Sequence, residues 1–519
     1  MSNYNRHTLI NRFLFSTIIL LLFNFSRADF IPAVRVDREN RLNYACYHAE
    51  IAIGPDTAGV QPIYVAFEDD SVPLTVQRSD IAFQRSTDGG RTWLSENIIV
   101  RRGNRFACYP DLQVARDGTV YLIYVDRVDG SRGHIHFVRS TDMGETWTDP
   151  VQVDDNPSMV PVGWVKLAID TADNLFCAWT DQRSSYLRVY ADVSTDGGRT
   201  WGTDVRVDDD TVSFNCYPPD VFVQPGTNHY LIVADAPVRQ GSQIVLHSHF
   251  YKSSDRGRSF SPGFQLDTFS AYCRMPHIVA DEIHIITDYT GGRTGSNQSV
   301  TMARTYFVQG DSWGEQVLVT ELDTIYSSFT QGAKLAIDRQ GTVHTALMIA
   351  ERQNQIWNIY YTSSTDFGLT WQQREPVSLM PSVQQWDPSI AVDGEGCAYI
   401  VWQDMRSGKA EIWFSTNRLT GITEQAENKS AGWVRCFPFA FKERTTINIF
   451  GLNRPVSINI FDQSGRKIRV LSNGVRLTGG YSFMWDGRDE MSQQLPEGVY
   501  YIIVAADGKN FTGKVIRVK

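Results

Sequence analysis

Metal-type cysteine spacing is missing from this chain. Seven cysteines are present and no two stand as Cys-x-x-Cys, so a zinc site has no sequence support and no metal or cofactor is expected. A basic excess is missing as well: Lys and Arg number 49 against 58 Asp and Glu, a formal net charge of −9. That balance argues against nucleic acid as a partner, although interspersed basic residues leave room for a local basic pocket. Long apolar runs are scarce. The longest, Phe13 to Phe25, covers 13 residues, short of the ~20 a helix needs to cross a bilayer. Arg6 and Arg12 precede it and Ser26-Arg27-Ala28 follows, so residues 1–28 read as a signal peptide cleaved after Ala28. The expectation is an exported protein with no integral membrane segment after cleavage; a retained N-terminal anchor is the alternative.

What the chain has in quantity is strand and turn material. Aromatics make up 12% of 519 residues and glycines number 39, which suits many short strands joined by tight turns. The length calls for more than one core.

One octapeptide, Ser-Thr-Asp-Gly-Gly-Arg-Thr-Trp, occurs at 86–93 and again at 194–201. Variants end at Trp147, Phe260 and Trp371, and a worn copy lies at Gly310 to Trp313. The aspartates, Asp88, Asp142, Asp196, Asp255 and Asp366, are spaced by 54, 54, 59 and 111 residues, the last being two periods. Such periods mark solenoids or propellers. Each unit reads as three strands, the octapeptide turn and a fourth strand, which is the make-up of a propeller blade. Inner strands start near Ala49, Asp111, Lys166, Asp220, His277, Lys334 and Ser389, giving seven units. The last lacks its fourth strand, and Ala33-Val34-Arg35-Val36-Asp37, so like Asp204-Val205-Arg206-Val207-Asp208, is expected to supply it and remove two open edges. A six-bladed ring with one divergent insert is the rival.

The octapeptide suits a turn: Asp accepts backbone N–H groups, Gly takes a positive φ, and the terminal Trp93, Trp147, Phe260, Trp201 or Trp371 ring is buried. On this pattern, residues 30 to about 418 resemble the Asp-box (BNR) repeat family typified by sialidases. The resemblance implies a β-propeller and, in its enzymes, three arginines gripping a carboxylate, an acid and a Tyr–Glu nucleophile pair. The family's Arg-Ile-Pro signature is absent: Phe30-Ile31-Pro32 has Phe where Arg belongs. No catalytic residue is therefore assigned.

Residues 419–433 read as a linker between a propeller over 29–418 and a domain over 434–519. The latter is strand-rich and suggests a small β-sandwich. Its Phe461 to Arg466 turn, Trp485-Asp486-Gly487-Arg488-Asp489, Glu497-Gly498-Val499-Tyr500 and basic last strand resemble the C-terminal sorting domain of type IX secretion cargo and the immunoglobulin-like domain of flagellar hook-capping proteins. The resemblance implies the type IX secretion machinery as a partner and a secreted or cell-surface location. The whole is thus expected to be all-β.

In a propeller the boxes lie on one face, and strand 2–3 turns share the other with the channel rim. Tyr47, Glu50, Tyr109, Asp111, Tyr217, Asp220, Arg274, His277 and Trp386 are the candidate ligand-binding residues there, with Lys166 and Lys334 beside them. The aromatics either stack on sugars or plug the channel. Asp/Arg pairs in the 2–3 turns (Asp126-Arg127, Asp181 with Arg183, Asp288 with Arg293, Glu351-Arg352, Asp404 with Arg406) recur per unit and read as turn braces. Cys46, Cys108, Cys216 and Cys273 hold equivalent places, and bridges 46–108 and 216–273 are one expectation. Cys177 and Cys397 read as core residues. Three functions stay open: a glycan-facing surface propeller, an exo-glycosidase of the sialidase type, and an adhesive or structural protein.

Overall fold

The computed structural model describes residues 30–38, 45–56, 61–70, 79–101, 106–208, 213–268, 272–292, 299–319, 325–326, 334–351, 356–378, 380, 382–418, 433–437, 440–442, 444–450, 455–462, 465–476, 481–506 and 509–518. Residues 1–28 and most of the expected linker lie outside them. The chain divides into two compact units, 1–420 and 421–519. Among the described residues the structure is all-β, with a single 3-10 turn at Val308–Gly310 and no helix long and apolar enough to cross a membrane.

The first unit is a succession of antiparallel meanders. Cys46–Ile53, Ile63–Asp69, Asp80–Ser86 and Ile98–Arg101 pair in order. The same pattern runs from Phe106–Val114, Val160–Ile169, Tyr217–Val223, Tyr272–Ala280, Lys334–Ile337 and Gln385–Val392, each the first strand of its own meander. Second strands such as Leu175–Asp181 and Ala398–Asp404 are buried along their whole length. They therefore have apolar neighbours on both faces and read as continuous hydrophobic runs rather than alternating ones.

Those neighbours are the flanking meanders. Phe83 and Tyr64 share a core with Leu122 and Tyr124; Ile123 and Phe137 share one with Trp179. Phe176 meets Tyr230, Val233 meets Tyr289, and Ala303 meets Leu347. Tyr361 packs with Trp402, and Val401 and Phe414 pack with Phe67 of the first meander. No meander buries its apolar surface alone.

The last meander is completed from the front of the chain. Val34 pairs with Phe414 and Arg35 with Trp413. Ile31 N–H donates to Thr416 O at 2.9 Å and Val36 N–H to Ile412 O at 2.8 Å. Asp37 Oδ1 then accepts Ile412 N–H at 2.8 Å. Asp154, Asp208 and Asp267 accept the N–H groups of Ile135, Val189 and Ser248 in the same way. The four strands that lead into these carboxylates have two residues each, and the carboxylates carry the hydrogen bonding one step further.

Every complete octapeptide closes the same way. In the first, Ser86 Oγ donates to Asp88 Oδ1 at 2.8 Å and accepts Gly90 N–H at 2.9 Å. Asp88 accepts Thr92 N–H at 2.9 Å and Thr92 Oγ1–H at 2.7 Å. In three of the boxes the Trp then packs edge-on against a third-strand Phe of the preceding meander: Trp147 on Phe83, Trp201 on Phe137, and Trp93 on Phe414, with centroids 5.2, 5.5 and 5.3 Å apart. In the worn copy Trp313 still sits 5.2 Å from Phe250. The repeat is a latch between neighbours.

The expected disulfides do not form. Cys46, Cys108, Cys216 and Cys273 are not bridged to one another; each is buried in a different inter-meander core, so neighbouring equivalents are separated by a packed layer. Cys177 is a core residue as expected; Cys397 is half-buried just before its strand.

In the second unit a strand begins at Trp433, inside the expected linker. Trp433–Phe437, Thr445–Phe450 and Tyr481–Trp485 form one sheet. Ala440–Phe441, Lys509–Arg517, Gly498–Ala506, Pro455–Asp462 and Lys467–Arg476 form another. Ile447 and Trp485 of the first share a core with Ile458, Ile502 and Val515 of the second.

Candidate functional site

The first strands are not regular. Their pairing shifts register between Tyr47 and Glu50, Cys108 and Asp111, Gly163 and Val165, Tyr217 and Asp220, Arg274 and His277, and Trp386 and Ser389. At five of these bulges a non-glycine residue holds a positive φ: His48 (46°), Tyr109 (52°), Trp164 (29°), Met275 (55°) and Asp387 (47°). Such residues are strained and cluster where surrounding structure over-determines them. Proline follows at Pro110, Pro276 and Pro388, a residue tolerated at a bulge because it needs no ladder donor.

The bulges share one cavity of about 120 Å³. Of the residues singled out from sequence, Glu50, Tyr109, Asp220 and His277 line it, together with Lys166 and Lys334. Asp111 touches it through Lys166, at 3.9 Å. Tyr47, Tyr217, Arg274 and Trp386 precede the bulges and are not among the lining residues. Sequence reading missed His48, Trp164, Met275 and Asp387. The aromatic-or-polar residue followed by proline, as in Tyr109-Pro110 and Asp387-Pro388, was the available signal.

Charge in the cavity is organised around Glu50. Its Oε1 accepts Lys166 Nζ–H at 2.5 Å and also contacts Lys334 Nζ; its Oε2 accepts Ser389 Oγ–H at 2.8 Å. Burial works against this carboxylate, but the two ammonium groups overcome it and hold its pKa down to about 2. Burial lowers the Lys334 pKa, while Asp111 and Glu50 outweigh burial at Lys166 and raise it. Burial also pushes Asp111 up to about 6 and His277 down to about 4. Glu50 is thus the shared acceptor of both lysines.

Several of the acids also stitch meanders together. Asp111 Oδ2 accepts Leu167 N–H at 2.7 Å, and Asp220 Oδ2 accepts Ile278 N–H at 3.1 Å. Glu68 and Asp235 do the same for the bulges themselves. Glu68 Oε1 accepts Tyr109 N–H at 2.6 Å and lies 2.9 Å from His48 Nδ1; Asp235 Oδ2 accepts Met275 N–H at 3.0 Å. Burial alone would lower the His48 pKa, but Glu68 raises it above the ordinary value.

Asp235 gives a measurable pH signature. Burial pushes its carboxyl up to about 7 from an ordinary 3.8. Between those values the folded state keeps a proton the unfolded chain releases, so this group makes stability fall as pH rises across that window. In Asp235→Asn the amide keeps an oxygen for Met275 N–H, and that part of the slope should vanish. Urea midpoints between pH 4 and 8 check it; slopes equal to wild type would refute the assignment.

Two residues before Glu50, Asp111 and Lys166 on the same strands, His48, Tyr109 and Trp164 pack in a row, with ring centroids 4.8 and 5.1 Å apart. Behind it Arg127 lies 5.2 Å over Tyr109 and donates to Val162 O at 2.6 Å. Arg127 therefore does not brace Asp126, which pairs instead with Arg101 at 3.3 Å. Arg274 sits over Tyr217 at 4.9 Å. Among the described residues no arginine lines the cavity. Asp288 faces His277 at 3.1 Å, and Arg293, Arg352 and the Glu351 side chain lie outside the described residues. Asp181 and Asp404 do act as braces. Each accepts the indole N–H of its own strand's Trp at 3.1 Å and holds Arg183 or Arg406, which stacks 3.9 Å over Tyr190 or 3.5 Å over Trp413.

Residues 76–265 match the BNR repeat-like domain, and residues 449–510 match the FlgD Ig-like domain. No curated protein matches the chain. Similar solved structures include a protein of unknown function from Dyadobacter fermentans, 13% identical, with 75% of this chain and 98% of that one covered at a TM-score of 0.46. An α-L-arabinofuranosidase of Fusarium graminearum in complex with arabinobiose is 15% identical over 75% and 97%, at 0.44. PorZ, a surface component of the type-IX secretion system of Porphyromonas gingivalis, is 13% identical over 90% and 59%, at 0.41.

Proposed function

We propose that residues 29–418 form a seven-bladed β-propeller that recognises extracellular glycan in the cavity on its bulged face. The shared cores in cyclic order, the first meander packing on the last, support the ring; the aromatic wall of His48, Tyr109 and Trp164 carries the ligand reading. A sugar ring presents an apolar face to an aromatic surface and hydroxyls to the polar groups around it. The lysines are engaged with Glu50 and the described lining holds no arginine, so the sialidase-type grip on a carboxylate has no counterpart there. A glycan array probed with the purified chain tests this reading. Binding to a subset of oligosaccharides is expected, together with no turnover of a fluorogenic sialoside from acidic to neutral pH. A uniformly blank array would favour the adhesive or structural alternative, and turnover the exo-glycosidase.

For the second unit we propose an immunoglobulin-like sandwich serving type IX export to the cell surface. The Phe461–Arg466 turn and the Ig-like family match over 449–510 support it. In a type IX-competent host the full chain is expected at the surface, and a chain lacking 434–519 in the periplasm. Surface display of both would count against it.

A further inference from the structure

The cavity has two unlike sides, and the difference bears on which sugars fit. One side is the aromatic wall, built from three successive first-strand bulges, with every bulge residue held in the left-handed region. Its geometry is supported from behind: Glu68 fixes the Tyr109 N–H and the His48 ring, and Arg127 backs the Tyr109 face. The wall is half-buried, with the His48 side chain 36% exposed, so it is open to a ligand without rearrangement.

The other lining groups include more carboxylates than ammonium groups: Glu50, Asp220 and Asp387 against Lys166 and Lys334. Lys166 and Lys334 both point at Glu50 Oε1. A ligand anion at either ammonium would stand beside that carboxylate. Asp220 and Asp387 line the same space. Asp387 accepts Gln403 Nε2–H at 2.5 Å on Oδ2 and stands 4.0 Å from His48 Nε2, which places it beside the start of the wall. Carboxylates there accept sugar hydroxyls and repel a ligand carboxylate.

Resting on the glycan reading above, we infer that this cavity is a subsite for an uncharged sugar residue, stacked on His48, Tyr109 and Trp164 and hydrogen-bonded through its hydroxyls to Asp387. Sugars bearing a carboxylate, such as sialic or uronic acids, are excluded from it. The specificity comes from the excess of carboxylates over ammonium groups in the lining, and the affinity from the wall.

The test uses the full chain on an array of neutral oligosaccharides paired with their sialylated and uronic-acid counterparts, followed by calorimetry on the best neutral oligosaccharide. Wild type is expected to prefer the neutral member of each pair. Trp164→Ala should weaken binding by about tenfold, as loss of an aromatic stacking face does. Trp164→Phe keeps a ring and should recover most of the affinity, which separates stacking from loss of folding. Asp387→Asn should reduce discrimination against the acidic counterparts. Preference for acidic members, or affinity unchanged in Trp164→Ala, overturns this subsite while leaving glycan recognition standing. An array blank for wild type overturns both.

Discussion

Removal of residues 30–37 is expected to destabilise the first unit more than any single substitution. The segment contributes Val36, fully buried, and Phe30, whose ring lies 5.4 Å from that of Tyr361. Ile31 and Val34 pack against the core shared by the first and last meanders. Losing the burial that three or four such side chains provide costs on the order of 5 kcal/mol, a large part of a typical domain's stability of about 5–15 kcal/mol. Hydrogen bonds are lost too, because Ile412 N–H, Ile412 O and Thr416 O would all lose their partners. The strand Glu411–Thr416 would then become an open edge, and open edges pair with other chains. Thermal melting should show a drop of many degrees, and size-exclusion chromatography should show oligomers. A truncated monomer melting within about 2 °C of the full chain would refute the closing role of this strand.

Gly90→Ala is expected to cost about 2–5 kcal/mol, the sum of left-handed strain and overpacking. Gly90 has φ +87°, and a Cβ there would stand 2.0 Å from Cε1 and 2.5 Å from Cζ of Phe414. Phe414 is fully buried and is the ring on which Trp93 rests, so it has no free direction in which to yield. Gly408→Ala separates the two terms. Gly408 has φ +83° with nothing within 4 Å of a built Cβ, so only the backbone cost of about 1–2 kcal/mol should appear. Equal losses at the two positions, measured by urea unfolding, would mean that the latch between the first and last meanders is not tight.

The scale of these effects follows from one arrangement. Each box is local in sequence but is packed by a residue of the preceding meander, so a change in a turn is felt in the neighbouring core. The latch at Gly90 and the strand at Val34 both act on Phe414, which couples them. Their costs should therefore not add when combined.

Local chemistry by itself determined the meanders, the box turns and the strand at Val34. Asp88 finds its partners within four residues, Gly90 takes its φ from its own turn, and Val34-Arg35-Val36-Asp37 repeats a fourth strand written elsewhere. The bracing role of Asp181 and Asp404 was legible for the same reason, since Arg183 and Arg406 lie two residues on. Tertiary structure alone decided the cavity. His48, Tyr109 and Trp164 are more than fifty residues apart in sequence, and only the bulges bring their rings together. It also decided that Lys166 and Lys334 both reach Glu50, that Arg127 turns away from Asp126, and that the paired cysteines stay apart. In each case the partner comes from another meander, at a distance set by how the sheets pack and not by any spacing along the chain.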